Sequence, residues 1–522
     1  MKGMVACAHP AAAAAGAQML RAGGSVVDAV VAAALAMGVV EPLDCGLGGG
    51  GFLVAHVAGE AVALDFMSCA PQAAAYRIVP RWGGFLRDYS LAVAGRENEW
   101  GARSVAVPGA PSGLAAAHRR YGVLPLATLV EPAARLAADG FAVNAYLARR
   151  MAKNLDYLHL QSEARRLFTV DGRPYREGER LTNPELAETL RHLATAGLAA
   201  FYTGPVAEAV VAEMERAGGF LAREDLVAYR AHWKDPVRGS YRGYTVFSAP
   251  PPSTGAYLVL ALHALACGEI SPTDEVGAAG AVLEAMQIMG IRRGDWLGDP
   301  AFVPVPTWEA TDPERALEAL EALRGDRLRP GVAGPGEAGA ESANTTHISA
   351  VDGEGNLAAL TFSNMNFSGI AVAGHGFMLN NQMLLFNPWP GTANSVAPGK
   401  RPASSMTPTL LLRGGSPAGA IGASGGPRIL SAILQTLVRR LDMGLSAADA
   451  VRAPRLHWEG GRVLAEADMV PVAEAAAAGR WPVLVVPADE PVGVCQCVFV
   501  DPGRDAVDGA ADPRAGGAIA VA

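Results

Sequence analysis

The chain has 522 residues, of which 50% are hydrophobic and 18% charged, and its formal net charge is -8. This charged fraction lies below the roughly 25% of an average globular chain, which excludes a disordered or fibrous protein and indicates a large buried core. The acidic balance and the lack of a Lys/Arg block argue against a nucleic-acid partner, and the apolar run over residues 29–40 is too short to span a membrane.

The start of the chain predicts a cytoplasmic protein. His9 and Pro10 interrupt the first residues before any leucine-rich segment begins, so no secretory signal is expected. The six cysteines mostly sit in apolar runs, as reduced and buried thiols do. Cys495 and Cys497 form a C-x-C on one face of a predicted strand, where packing in the core is the favoured interpretation.

In chain order, the patterns predict a layered α+β fold. Residues 11–40 indicate two Ala-rich helices broken at Gly23-Gly24, the second capped by Ser25 and Asp28. A Gly-rich turn and a strand follow, and residues 104–240 form a helical layer. A Gly/Pro-rich linker is expected over residues 327–341. Five strands (HISAV, LAALTFS, GFMLN, TLLLR and AGAIGA) and a helix over residues 427–443 come next. Strands paired in sequence, with helices segregated from them, favour α+β layers over a doubly wound sheet.

Residues 46–51 (GLGGGG) satisfy the G-x-G-x-x-G pattern of dinucleotide-binding proteins. That fingerprint follows a strand and opens a helix, because the pyrophosphate lies on the helix N-terminus. Here a helix precedes the motif and a strand follows it. The inverted context favours a tight turn beneath a crowded sheet over a nucleotide site.

Residues 422–426 (GASGG) match the G-x-S-x-G nucleophile elbow between a predicted strand and a predicted helix. The other members of a triad follow in the order that α/β hydrolases use, namely Asp442 or Asp449 and then His457. That fold requires parallel strands around the elbow, whereas the preceding chain is mainly helical. The alternative is that Gly425 and Gly426 present backbone N–H groups to an anion or oxyanion, whether or not Ser424 reacts.

The segment that begins at Asn344 predicts a β-hairpin with a turn over residues 352–356. If Val351 pairs with Leu357, Thr345 stands opposite Ser363, and the two hydroxyls come within hydrogen-bonding reach. Taken alone, Thr-Thr in a strand is ordinary β-propensity.

Collinear motifs from residue 3 to residue 517 resemble the gamma-glutamyltranspeptidase family of N-terminal-nucleophile hydrolases. The motifs are GMVACAHP, LRAGGSVVDAVVAAALAMGVVEP, GLGGGGFLV, LDFMSCAPQAA, SVAVPG, PPPSTG, LGDP, TTHISAVDGEGN, LNNQM, KRPASSMTPT, GASGGPRI, APRLH and GAADPRAGG. The resemblance implies a four-layer αββα sandwich made as one precursor. It also implies self-cleavage between Asn344 and Thr345, which would give fragments 1–344 and 345–522 that stay together as one intertwined domain.

By the same resemblance, Thr345 is the nucleophile and its freed α-amino group is the base. Ser363, where the family usually has a threonine, would orient the Thr345 hydroxyl. The N–H groups of Gly425 and Gly426 would hold the oxyanion. No cofactor or metal is implied, and the partners expected are a small-molecule substrate and the chain's own second fragment. The apolar composition allows a dimer of these heterodimers.

The substrate-binding motifs depart from those of a glutathione-type enzyme. Met67 replaces an arginine that grips the substrate carboxylate, Leu384-Leu385 replaces an aspartate that binds the ammonium, and Met365 replaces an asparagine. Burying a zwitterion without partners is costly, so efficient use of glutathione is not expected. Ser404-Ser405 and Arg428 could still bind a carboxylate or carbonyl, or serve as a strand cap and a helix-to-sheet salt link. The candidate substrate-binding residues are Met67, Asn364, Met365, Asn366, Gln382, Leu384, Leu385, Ser404, Ser405 and Arg428.

These features predict a self-processing acyl hydrolase for a less polar or differently charged substrate, with a role in secondary metabolism as one setting. Three alternatives stay open: hydrolysis of a carbon–carbon bond in alkylproline-type natural-product assembly, an amidase resembling cephalosporin acylase or oxamate amidohydrolase, and a catalytically silent binding paralogue. The intact Thr345, Ser363 and Gly-Gly pair argue against the last.

Overall fold

The fold was analysed in a computed structural model that describes residues 2–79, 92–325, 344–501 and 506–522. The predicted linker at residues 327–341 lies outside the described residues. The strands are Met4–Cys7 (β1), Gly50–Val57 (β2), Glu60–Phe66 (β3), Phe141–Ala142 (β4), Thr169–Val170 (β5), Arg173–Pro174 (β6), Arg180–Leu181 (β7), His232–Lys234 (β8), Val237–Tyr241 (β9), Tyr244–Ser248 (β10), Thr346–Val351 (β11), Leu357–Ser363 (β12), Thr409–Arg413 (β13), Ser416–Ser424 (β14), Leu456–Glu459 (β15), Arg462–Ala465 (β16), Val483–Val485 (β17), Val494–Asp501 (β18), Ala506–Ala511 (β19) and Ala518–Val521 (β20).

Helices surround these strands, and the two Ala-rich helices predicted first are present, the second with the expected cap of Ser25 and Asp28. The helices are Pro10–Arg21 (α1), Val26–Val40 (α2), Ala110–Tyr121 (α3), Leu126–Asp139 (α4), Ala145–Lys153 (α5), Leu155–Leu158 (α6), Ser162–Phe168 (α7), Pro184–Ala196 (α8), Pro205–Ala217 (α9), Arg223–Ala228 (α10), Gly255–Ala266 (α11), Glu275–Trp296 (α12), Thr307–Thr311 (α13), Pro313–Arg324 (α14), Arg428–Leu441 (α15), Ala447–Arg452 (α16) and Val470–Ala477 (α17).

Two antiparallel sheets form the centre of the molecule. The first has seven strands in the order β20-β1-β11-β12-β2-β3-β8, and the second has six in the order β19-β18-β14-β13-β10-β9. Strand β11 lies between β1 and β12 in the first sheet. It packs face to face on β14 and β18 of the second sheet. One apolar cluster joins the first sheet to α1–α4, and another joins both sheets to α11, α12 and α15. These layers are the predicted αββα sandwich.

Helix α2 shows why the sequence carries so few charges. Ser25 caps it with a complete capping box, and almost every residue from Val26 to Val40 is buried. It packs against α1, α4 and β11, so small Ala side chains let the layers approach closely.

No helix among the described residues combines the length and hydropathy needed to cross a membrane.

The prediction of a strand at residues 376–380 is wrong. In this part of the described chain, Met378 and Leu379 form only isolated bridges, to Ala371 and Gly48. The Asn380 side chain takes over the local hydrogen bonds, because its amide nitrogen donates to the carbonyls of Gly48 at 2.6 Å and Ala106 at 2.9 Å. A side chain that bonds the backbone in this way competes with a regular ladder.

Candidate active site

The hairpin of β11 and β12 brings two hydroxyls together. Val351 pairs with Leu357 in the register predicted from the sequence, and the same register places Thr345 opposite Ser363. The Thr345 hydroxyl donates to Ser363 Oγ at 3.2 Å. Both residues are buried, with 7% and 3% of their surfaces exposed.

The Ser363 hydroxyl also contacts the peptide that precedes Thr345. It donates to the carbonyl oxygen of Asn344 at 2.5 Å, and it accepts a hydrogen bond from the backbone N–H of Met365 at 2.8 Å. With the Thr345 hydroxyl as its second donor, the oxygen uses both lone pairs and its proton. Its orientation is therefore set by three partners.

The glycine turn before β2 lies directly against this pair, so G-x-G-x-x-G marks close backbone packing here. A Cβ on Gly49 would lie 2.3 Å from the Ser363 carbonyl oxygen, and one on Gly48 would lie 2.1 Å from that of Met378. Ser363 pairs with Gly50 across the sheet. Only glycine tolerates such approaches.

Met67 lies in the same row of residues, one strand further on. Because Gly51 pairs with Phe66, Gly50 is the neighbour of Met67, and the row runs from Thr345 through Ser363 and Gly50 to Met67. The span is about 14 Å at the usual strand spacing. Met67 is fully buried in the apolar cluster between the sheets.

Arg401, which binds Asp65 two residues before Met67, is committed to that carboxylate. Arg401 contacts the Asp65 carboxylate at 2.7 Å and donates to the carbonyls of Asp65 at 3.0 Å and Arg230 at 2.6 Å. Although burial alone would raise the pKa of Asp65, Arg401 and Lys234 hold it below its usual range. The pair therefore forms a structural ion pair under the site.

The segment after Asn381 approaches Ser363 from another side. Gln382 is buried, and its side-chain amide donates to the Ser363 carbonyl at 2.8 Å. Leu384 and Leu385 follow in a short 3₁₀ turn and are each half-buried. Apolar side chains thus stand where the resemblance implies an acidic group.

The three residues after Ser363 form an irregular turn. The backbone N–H of Asn364 donates to the carbonyl of Asp44 at 2.7 Å, and that of Asn366 donates to the Asn381 side chain at 2.8 Å. Met365 adopts a left-handed conformation with φ of 60°, which asparagine tolerates better than methionine. Met365 is 8% exposed.

Ser404 and Ser405 form a turn beside the segment at residues 250–254. Ser404 Oγ accepts from the N–H of Met406 at 3.2 Å, and its backbone N–H donates to Pro252 at 2.9 Å. Ser404 is buried and Ser405 is half-buried. The contact of Ser404 Oγ with the N–H of Met406 agrees with the interpretation of Ser404 as a strand cap.

Gly425 and Gly426 form the turn between β14 and α15, with φ of 123° and 56°. A Cβ on Gly422 would lie 2.3 Å from the ring of His347, so the end of β14 lies beside the start of β11. Arg428 makes no salt link to a described carboxylate. Instead, its Nη1 donates to the carbonyls of Glu490 at 2.9 Å and Pro491 at 3.2 Å, which corrects the salt-link interpretation.

The triad suggested by the G-x-S-x-G motif is not assembled. Asp442 accepts from Tyr241 and Arg242, each at 2.6 Å, and Asp449 accepts from the N-cap hydroxyl of α16 at 2.6 Å. The Nδ1 of His457 contacts Ser431 at 2.7 Å. The carboxylates therefore stabilise turns and a helix end. Cys495 and Cys497 are buried in the apolar core, as predicted.

A buried charged cluster behind the hydroxyl pair was missed by the sequence reasoning. Asp44 binds Arg150 at 2.8 Å and accepts from Tyr146 at 2.9 Å. Burial and the nearby Asp44 raise the pKa of Glu41 well above its usual range, while Thr346 and Arg150 partly offset this. The spacing of four between Tyr146 and Arg150 on a helix was the available signal.

The whole architecture and these motifs match known proteins. The model of the family described as Gamma-glutamyltranspeptidase matches residues 12–522. The chain belongs to the gamma-glutamyltranspeptidase family. It is 37% identical to the Acylase ACY 1 proenzyme of Pseudomonas sp. (strain SE83), over 91% of this chain and 86% of that protein. It is 35% identical to the Glutathione hydrolase proenzyme of Escherichia coli (strain K12), over 98% of this chain and 90% of that protein.

A solved family structure agrees along the full length. The crystal structure of cephalosporin acylase from Bacillus halodurans superposes with a TM-score of 0.87 and 28% identity, covering 99% of this chain and 95% of that one. Because the relatives are hydrolases and acylases of this family, the chain is an enzyme of the same class.

Proposed function

We propose that this family member cleaves itself between Asn344 and Thr345 and then acts as an acyl hydrolase with Thr345 as nucleophile. The observation that carries the proposal is the Ser363 hydroxyl, which lies between the Thr345 hydroxyl at 3.2 Å and the Asn344 carbonyl oxygen at 2.5 Å. Two relatives of this chain are named as proenzymes, which supports the proposal of self-cleavage.

This arrangement suits a proton relay during cleavage. Thr345 Oγ attacks the Asn344 carbonyl carbon and passes its proton to Ser363 Oγ, while Ser363 passes its own proton to the carbonyl oxygen. The tetrahedral intermediate then breaks its C–N bond while the proton on its new hydroxyl passes to the nitrogen, so that an ester on Thr345 Oγ and the free Thr345 amine remain. Water then hydrolyses the ester, which releases the Asn344 carboxylate and restores the Thr345 hydroxyl.

The freed residue then carries nucleophile and base together. An α-amino group has a reference pKa of about 7.7 to 8.0, so near neutral pH it can accept the hydroxyl proton as Thr345 attacks a substrate carbonyl. The product is an acyl-enzyme that water resolves. Ser363 keeps the hydroxyl oriented in this step as well.

The Gly425-Gly426 turn is the proposed oxyanion site. The turn joins a strand to the start of a 14-residue helix, so its N–H groups share the positive end of the helix dipole. Preorganised donors of this kind are typically worth roughly 3 to 4 kcal/mol each in the transition state.

The proposed acyl group is less polar than γ-glutamyl. Met67, Leu384 and Leu385 carry no charge, and the neighbouring Arg401 is held by Asp65. Ligand-accessible groups are the half-buried Asn366, Leu384, Leu385, Ser405 and Arg428. A free ammonium and carboxylate placed here would lose their hydration, and Met67, Leu384 and Leu385 would offer them no opposite charge.

A cephalosporin acylase activity is the second candidate. It is favoured by the full-length similarity to the Bacillus halodurans enzyme. Release of the free nucleus from an acylated cephalosporin, measured by chromatography, distinguishes this activity from hydrolysis of simple acyl amides alone.

Self-processing is tested on a denaturing gel. The wild type should give two bands, whereas Thr345→Ala should give one band of full length. Ser363→Ala should slow cleavage by about 100-fold, as expected for loss of a donor to a developing oxyanion, and Ser363→Thr should restore it. A single band in the wild type, or two bands in Thr345→Ala, would contradict the proposal.

Acyl preference is tested with two chromogenic amides. We expect kcat/KM for hexanoyl-p-nitroanilide to exceed that for γ-glutamyl-p-nitroanilide by at least about 100-fold, because charged groups would be desolvated without partners. Met67→Arg alone should rescue little, since Leu384 and Leu385 still lack the second charge. Fast γ-glutamyl release by the wild type would show that these residues do not set the preference.

A further inference from the structure

Helix α5 presents one polar face toward the active-site region. Tyr146, Arg150 and Lys153 lie at spacings of four and three, which places them on the same side of a helix. Leu147 and Met151 are buried in the first apolar cluster and hold the helix in its layer. The polar face therefore has a fixed position relative to the first sheet.

The first two residues of this face fix the turn beneath Ser363. Arg150 donates to Asp44 Oδ1 through Nε at 3.0 Å and Nη2 at 2.8 Å, while the Tyr146 hydroxyl donates to Oδ2 at 2.9 Å. The carbonyl of Asp44 accepts from the N–H of Asn364 at 2.7 Å. Asn364 directly follows Ser363, so α5 is linked to the hydroxyl pair through one buried carboxylate.

The third residue of the face is linked to the Gly425-Gly426 turn through two further residues. Lys153 forms an ion pair with Glu490, and their side chains are 42% and 20% exposed. The Glu490 carbonyl accepts from Arg428 Nη1 at 2.9 Å. The backbone N–H of Arg428 donates to the carbonyl of Gly425 at 3.1 Å and closes the glycine turn.

We infer that α5 is a positioning element that sets the Thr345–Ser363 pair against the Gly425-Gly426 turn. Arg150 acts on the hydroxyl side through Asp44, and Lys153 acts on the glycine side through Glu490 and Arg428. This inference rests on the proposed function. Since proposed self-cleavage uses Ser363 and not the glycine turn, Lys153 should affect only turnover, whereas Tyr146 and Arg150 should affect cleavage as well.

The glycine side is tested with the processed enzyme and p-nitrophenyl acetate, a small activated ester that needs little acyl pocket. Lys153→Met and Glu490→Gln should each lower kcat by about 3- to 10-fold with KM within 2-fold, since small misplacements of an oxyanion site act on the transition state. The exchange Lys153→Glu/Glu490→Lys should recover most of the loss. Added NaCl should lower the wild-type kcat and leave that of Lys153→Met unchanged, because salt screens an exposed pair.

Arg149→Met is the matched control, since Arg149 lies on the same helix and is exposed. Its kcat should equal that of the wild type. The inference is overturned if both single variants keep the wild-type kcat, or if Arg149→Met loses as much activity as they do. Self-cleavage that depends on Thr345 in all of these variants would show that the proposed function survives such a failure.

The hydroxyl side is tested with Tyr146→Phe, which removes one hydrogen bond to Asp44 and keeps the ring. Cleavage of the newly made chain should be slowed by about 3- to 10-fold, in line with the loss of one hydrogen bond to a charged group, while Lys153→Met cleaves at the wild-type rate. Equal cleavage rates in Tyr146→Phe and wild type would remove this arm of the inference.

Discussion

At the scale of single residues, His347 shows how a buried polar network supports the nucleophile strand. Its Nδ1 contacts the Thr361 hydroxyl and its Nε2 contacts the Ser349 hydroxyl, each at 2.8 Å. Because Ser349 donates its own proton to the Gln496 carbonyl at 3.2 Å, it accepts from His347, so Nε2 carries the proton. One neutral tautomer thus joins β11 to β12 and, through Ser349, to β18.

This network predicts a pH-dependent stability. Burial lowers the pKa of His347 from 6.5 to about 3, so below pH 6.5 the unfolded chain binds a proton at this ring and the folded chain does not. The contribution of the neutral ring to folding stability is therefore complete above pH 6.5 and is lost as the pH falls toward 3. We expect His347 to account for about 1.4 kcal/mol of lost stability between pH 7.5 and 5.5.

The measurement compares urea unfolding of the wild type and His347→Asn across this pH range. The variant should be less stable at pH 7.5 and should show a shallower decline, since it lacks the titrating ring. Parallel declines in the two proteins would mean that other groups account for the acid sensitivity.

At the scale of elements, glycine controls how closely neighbouring segments approach. A Cβ on Gly422 in β14 would lie 2.3 to 2.8 Å from three atoms of the His347 ring. The contact between the two sheets beside the nucleophile therefore depends on a missing side chain. In helix α12, by contrast, a Cβ on Gly280 would meet no atom within 4 Å.

These two glycines give opposite predictions for the same substitution. Gly422→Ala should destabilise the protein by about 1 to 3 kcal/mol, because added volume in a packed core forces neighbours to shift. Gly280→Ala should stabilise it by about 0.5 to 1 kcal/mol through helix propensity. The urea unfolding midpoints of both variants test these two predictions. A Gly422→Ala midpoint equal to that of the wild type would argue against tight packing between the sheets.

At the scale of the whole molecule, the proposed cut separates segments that share both sheets. Strand β1 lies between β20 and β11, and β2 pairs with β12. In the second sheet, β10 pairs with β13. Strands from residues 1–344 and 345–522 are thus joined by backbone ladders on several sides.

We therefore expect the two fragments to remain together after cleavage. They should co-elute as one species on size exclusion and separate only when the protein is denatured, because dissociation would expose several strand edges and the apolar clusters at once. Elution of two independent folded fragments would contradict this prediction.

Local chemistry made much of this architecture predictable. The capping pair Ser25 and Asp28 predicted the start of α2, and the five-residue turn predicted the β11–β12 register that aligns Thr345 with Ser363. These features depend on residues close in the chain, where spacing and residue type determine hydrogen bonds. The collinear motifs predicted the family and its αββα sandwich, which the fold comparison confirms.

Long-range packing decided the rest. The sequence by itself determined the helices, the hairpin and the family, because these follow from neighbouring residues and from motif order. Only the tertiary structure decided that Asp442 accepts from Tyr241 and Arg242, that Arg401 is held by Asp65, and that α5 contacts Asp44 and Glu490. Such partners lie up to hundreds of residues apart, so their pairing depends on how the layers close around a shared core.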